Sequence, residues 1–137
     1  MRKTIIILLV STFLFFIVGC DENYTDCIYK VTLIPKEISN NSVGNDWEIK
    51  YLYENGYIES GKKWIIPIDS VEIKTIKVVI KEKDEFSDFG YDFLDVKLVD
   101  DFITYKIIEI EENNGCFKGN KAVWKVTCIV ELVEKIS

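Results

Sequence analysis

The stretch AVWKVTCIVELVE, residues 122–134, alternates with a period of two. Trp124, Val126, Cys128, Val130 and Leu132 fall on one phase, while Lys125, Thr127 and Glu131 fall on the other. Successive side chains of an extended chain point to opposite faces, so this pattern predicts a strand with one buried face. Working outward, Phe102–Glu111 reads as a strand entered through a turn at Asp100-Asp101. Before it, residues 92–99 place Leu94, Val96 and Leu98 inward. Residues 71–82 are long and β-branched, with Ile76, Val78 and Ile80 on one face; Val71 and Ile73 are out of step with them, which predicts a β-bulge near Lys74 or Thr75.

Nearer the start, Trp64–Ile68 contains Pro67 and suits a sheet edge. Residues 47–53 and 57–59 flank Asn55-Gly56, a strong hairpin signal. Cys27, Tyr29, Val31 and Leu33 alternate with polar neighbours, and Pro35 is expected to end that strand, leaving 36–46 as a loop. No segment beyond the first twenty residues shows a 3.6-residue apolar period. Strands of this length with frequent turns predict a single all-β domain over 27–137. Its expected form is an antiparallel two-sheet sandwich of about seven or eight strands. If successive strands reverse, the connections at 36–46, 83–91 and 112–121 gather at one end, and the turns at Asn55-Gly56, Asp69-Ser70 and Asp100-Asp101 at the other.

The first twenty residues have a different character. Arg2 and Lys3 precede an apolar run from Ile5 to Val18, and Gly19 stands before Cys20. Those are the three parts of an export signal, and the run is short for a membrane span, which takes about 20 residues. Ile17-Val18-Gly19-Cys20 resembles the lipobox of bacterial lipoproteins. The resemblance implies cleavage after residue 19 and diacylation of the Cys20 thiol, with residues 20–26 as a short leader. It places the domain in the bacterial cell envelope, tethered to a membrane. Two or more acyl chains hold firmly where one binds marginally. The first strand leaves the anchor, so the long loops are expected to point away from the membrane.

Composition narrows the chemistry. The formal net charge is −6 and becomes more negative by two when Arg2 and Lys3 leave with the signal. Such a surface repels phosphate backbones, so nucleic acid is not an expected partner. The absence of histidine removes the usual general base, the Ser-His and Cys-His arrangements and the commonest zinc sites. Carboxylate-only glycoside hydrolysis stays formally open, but no enzymatic activity is expected. With Cys20 acylated, Cys27, Cys116 and Cys128 remain, enough for one bridge and one leftover thiol. Cys27 and Cys128 share the inward phase of their strands and are the preferred pair. A bridge from Cys116 to either, or three free thiols, are the alternatives.

The long loops are rich in oxygen ligands. Glu82, Asp84, Glu85, Asp88 and Asp92 surround the second, Glu112, Asn113, Asn114 and Asn120 lie in the third, and Asn45-Asp46 close the first. Hard cations such as Ca²⁺ take six to eight such oxygens, and clustered carboxylates repel one another without one. The spacing matches no EF-hand, and the competing reading is a set of solvated loops whose Asn and Gly serve turn geometry. Gly44-Asn45-Asp46-Trp47, the run from Glu82 to Gly90, and the run from Glu112 to Asn120 followed by Ala122 and Trp124 are similar to a pattern of small exported bacterial domains of C2-like sandwich type. Ser87 and Phe117 depart from its proline and tyrosine positions. The resemblance implies a C2-like (Ig-like) sandwich with calcium at Asp84 and Asp88, and Glu82 and Glu112 as secondary ligands. Asn113, Gly115, Gly119 and Asn120 are expected to shape the loop. Trp47 and Trp124 are expected in the core, with a sugar-stacking surface as their alternative role. The functional expectation is a non-catalytic binding module of the envelope with calcium ordering its distal loops. The alternative is a structural or accessory lipoprotein acting through a protein partner, and less so a glycan-active enzyme.

Overall fold

The computed structural model describes residues 23–137; the expected signal peptide at 1–19 and the acylation site Cys20 lie outside the described residues. Eight strands run β1 Asp26–Asn40, β2 Trp47–Tyr53, β3 Gly56–Ile58, β4 Lys62–Pro67, β5 Ile73–Glu82, β6 Phe89–Lys97, β7 Phe102–Glu111 and β8 Lys121–Ile136. They form two four-stranded antiparallel sheets, ordered β4-β1-β8-β7 and β3-β2-β5-β6. The expected all-β sandwich is the observed architecture. Among the described residues no helix is long and apolar enough to cross a membrane.

The core lies between the sheets and follows the alternation. Val31, Ile76, Val78, Ile80, Leu94, Val96, Leu98, Val126, Cys128 and Val130 are fully buried. Each large aliphatic chain removed from water contributes about 1.5–3 kcal/mol before entropy is counted. On one side the sandwich is tight. A Cβ at Gly90 on β6 would overlap the Glu109 carbonyl oxygen on β7, so the close approach of these two strands requires glycine there.

Local expectations fail at four places. β1 does not stop at Pro35 but continues to Asn40. β4 pairs with β1 only between Asp26 and Val31. Beyond it, Gly61 N–H donates to Val31 O, and Ser60 Oγ bonds both the N–H and the C=O of Leu33. Pro35 has the same phase, so its missing N–H faces a side where no strand remains to receive it. The bulge expected near Lys74 is absent, since β5 and β6 stay in unbroken register from Ile73↔Lys97 to Lys81↔Phe89. Ile73 and Val71 are simply exposed. The irregularities fall in the β1–β8 ladder, where Val133 on β8 is extra opposite Ile28 and Tyr29, and Ile38 on β1 is extra between Glu37 and Ser39. The tight hairpin turns through Glu54-Asn55 rather than Asn55-Gly56, with Glu54 at φ 52° and Tyr53 opposite Gly56.

The fourth correction concerns the disulfide. Cys27, Cys116 and Cys128 are free thiols. Cys27 stands opposite Lys135, whereas Cys128 stands opposite Leu33. Six residues of extended chain separate the two levels, roughly 20 Å at 3.3 Å per residue. A bridge needs Cα atoms about 4.4–6.8 Å apart, so sharing a face is not enough. Burial pushes the Cys128 thiol up to about 11, which leaves it protonated and inert.

Candidate functional site

The registers settle where the loops go. Asn40↔Ala122, Trp47↔Glu82, Lys81↔Phe89 and Glu111↔Lys121 all lie at one end of the sandwich. Asp26↔Ile136, Asp26↔Pro67 and Ile73↔Lys97 lie at the other. Loops 41–46, 83–88 and 112–120 therefore converge, as alternation of strand direction requires. The chain enters at the opposite end, where Thr25 N–H donates to Ile136 O and Ile68 N–H to Thr25 O.

The three loops are braced against one another through their polar side chains. Asn40 Oδ1 accepts from Val43 N–H, and its Nδ2 donates to Gly44 O, closing the first loop. Gly44 has φ +133°, and a Cβ there would overlap the Glu82 carboxylate. Lys83 N–H donates to Asp46 O and ties the first loop to the second. Asp84 Oδ1 accepts from Phe86 N–H at 2.9 Å, an Asx turn that shapes the second loop. Asp88 reaches across the sandwich. Its carboxylate accepts from Asn113 Nδ2 at 2.8 Å and from Asn113 N–H at 3.3 Å, joining the second loop to the third. Within the third loop a 3₁₀ turn at Gly115–Phe117 is set by positive φ at Gly115 and Gly119, as expected of those glycines. Asn113 and Asn120 keep ordinary backbone angles and act through hydrogen bonds.

All four acids expected as calcium ligands come to this end, but not as a ligand shell. Glu82, Asp88 and Glu112 are buried, while Asp84 is exposed. They associate in pairs. Burial, then the facing Asp84 carboxyl and the Glu112 charge, push Glu82 up to about 7. At Glu112 the Asn114 N–H pulls downward, but burial and the Asp88 and Asp84 carboxylates outweigh it and raise the group. Among the described residues no three acidic or thiol groups converge on a point that could hold a metal ion. The structure thus places Asp84, Asp88, Glu82 and Glu112 at one end, as expected, without gathering them into a preformed metal-ligand group among the described residues. The oxygens of Asp84 and Asp88 are turned to loop amides, and the buried glutamates sit in like-charge pairs that a proton relieves.

The end of the sandwich also concentrates polar strain. Trp47 and Trp124 meet edge to face at 5.5 Å, one from each sheet. Both belong to or pack on the core, as expected, which removes the sugar-stacking role. Their indole N–H groups and Glu82 Oε2 are buried without a hydrogen-bond partner among the described residues. Each such group costs about 1–3 kcal/mol, and local violations of this kind concentrate where a fold serves something other than stability.

Comparison of the chain with protein-family models, curated proteins and solved structures finds no match.

Over this braced base opens a cleft of about 480 Å³, lined by Asp84, Phe86, Glu112, Asn114, Cys116 and Phe117. Phe86 is 61% exposed and Phe117 52%. An acidic, aromatic-rimmed depression on a fixed frame can receive a basic and apolar group. The two phenylalanines are what a reading for metal ligands overlooks. Their signal in the sequence is an aromatic residue inside a polar loop with no apolar neighbour in phase.

Proposed function

We propose that this protein is a bacterial envelope lipoprotein, acylated on Cys20, whose sandwich is a non-catalytic binding module working through its loop end. The observation that carries the binding role is the cleft between loops 83–88 and 112–120, with Phe86 and Phe117 exposed over a hydrogen-bonded base. Preorganised loops lose little conformational entropy on binding, so exposed rings held on such a base are effective anchors. Acidic Asp84 beside them favours a partner that offers basic and apolar side chains, which points to an envelope protein. The lipobox and the entry of the chain at the opposite end support an orientation with this cleft facing away from the membrane.

Several features favour binding over catalysis. The chain lacks histidine. Glycoside hydrolysis needs two carboxyl groups about 5–9.5 Å apart flanking an open substrate path. Here the acids are in contact pairs, with Glu82, Asp88 and Glu112 buried. The test is site-specific photocrosslinking in the native envelope. A crosslinker replacing Phe117 is expected to trap a defined protein that one replacing Asp69, at the other end, does not. Equal labelling from both ends removes the assignment. The anchor is tested separately: Cys20→Ser should abolish palmitate incorporation and release the chain from the membrane fraction.

A further inference from the structure

The outer face of the second sheet differs from the acidic surface around it. The registers align Lys50, Val79 and Tyr91 in one row and Leu52, Lys77 and Phe93 in the next. Tyr57 on β3 extends the second row beside Leu52. Their alternate neighbours Ile49, Tyr51, Ile76, Val78 and Ile80 contribute to the core, so this set faces outward. Tyr57 is 70% exposed, Tyr91 52% and Phe93 47%. The Lys77 ammonium lies over the Tyr91 ring at 4.3 Å and near Phe93 at 5.9 Å, and Lys50 lies over Tyr57 at 5.6 Å. Lys77 and Lys81 make no ion pair among the described residues, although acids outnumber bases in the chain; Lys50 is paired with Glu48 at 3.0 Å. Between Tyr57 and Lys81 the face is hollowed into a groove of about 240 Å³, floored by Leu52 and Val79 and lined also by Glu48, whose charge the paired Lys50 offsets, so Lys77 and Lys81 are the ammonium groups left for an anion.

We propose that this face binds an acidic polysaccharide through its carboxylated sugars. An exposed ring offers an apolar plane to the apolar face of a pyranose, and an ammonium held beside the ring offers a charge-assisted hydrogen bond to the sugar carboxylate. From Tyr57 to Phe93 the surface crosses three strand spacings, about 14 Å, enough for a short run of sugars. Charge density selects the class of polymer. The ammonium groups are separated by Leu52, Val79 and the rings, which fits a uronic-acid chain that carries one carboxylate per sugar beside an apolar ring face. A nucleic acid or an anionic lipid surface carries denser charge, which the net-negative chain repels. This surface is separate from the loop-end cleft and does not depend on it.

The experiment is affinity electrophoresis of the full chain in detergent, with polygalacturonate, neutral dextran, dextran sulfate or duplex DNA in the gel. Retardation by polygalacturonate and not by dextran is expected. Tyr91→Ala and Lys77→Gln should each weaken it about fivefold to tenfold, the loss of one stacking or charge-assisted contact. Ile103→Ser, on the outer face of the other sheet, should leave it unchanged. Circular dichroism of each variant checks the fold, and exposed Tyr57→Ala provides a second stacking variant. Absence of retardation by polygalacturonate overturns the proposal. So does retardation by dextran sulfate or duplex DNA that equals it and ignores Tyr57→Ala and Tyr91→Ala, because the face would then be reading charge alone.

Discussion

Replacing Glu82 by glutamine separates the cost of a buried charge from the shape of the loop end. Glu82 is 4% exposed, lies beneath Gly44 and faces Asp84, and its carboxyl is raised from 4.5 to about 7. A folded-state pKa above the unfolded one means that the native state binds the proton more tightly. Its stabilising contribution is complete below the unfolded value and is lost as pH rises through the folded one. At 1.36 kcal/mol per unit the window between 4.5 and 7 corresponds to about 3 kcal/mol. The domain should lose that stability between pH 5 and pH 8. Glutamine stays neutral throughout, and its amide can donate to the Asp84 carboxylate. Glu82→Gln should therefore match wild type near pH 5 and exceed it at pH 8, by about 10 °C in Tm for a domain of this size. Urea unfolding at pH 5, 6, 7 and 8 measures both slopes. Parallel pH profiles for the two proteins, or a wild type that gains stability from pH 5 to 8, would refute the reasoning.

Three further outcomes follow from the same end of the molecule and from the thiols. Asp88→Ala removes the acceptor of three Asn113 contacts and should cost about 2 kcal/mol; hydrogen exchange should accelerate in loop 112–120 and stay unchanged in β5. Millimolar Ca²⁺ should leave the Tm of the wild-type domain in place, and a rise that disappears in Asp84→Ala would restore the metal site. Alkylation of the native chain should label Cys116 quickly and Cys27 and Cys128 only after unfolding, with mass spectrometry finding no bridge between the last two.

The strand pattern was legible because β5, β6, β7 and β8 alternate between a buried and a more exposed face, and a period of two cannot be shifted without exposing the core. That is why β8 could be read from residues 122–134 alone. Features fixed by a distant strand were not legible. Pro35 is tolerated because β4 ends opposite Val31, a fact that no residue near Pro35 records. Val71 and Ile73 suggested a bulge only on the premise that apolar residues face inward, and exposed apolar side chains are common. Phase is likewise weaker than register: Cys27 and Cys128 share a face, yet they stand six residues apart along β1.

The site shows the same division more sharply. Strand reversal alone brings Glu82, Asp84, Asp88 and Glu112 to one end, so their meeting could be read from sequence. What they do there could not, because it depends on which lone pairs the loop amides take. Asp88 faces Asn113 and Asp84 faces Phe86, and those choices turn would-be ligands into braces. The aromatic face of β6 follows from the phase that Leu94, Val96 and Leu98 set, since alternation then turns Phe89, Tyr91 and Phe93 outward. What the sequence alone does not record is why position 90, on the inward phase, is glycine: a Cβ there would overlap the Glu109 carbonyl of β7, a strand of the other sheet. Nor does it record that Lys77 of β5 lies over the Tyr91 ring, because that pairing depends on the register between two strands.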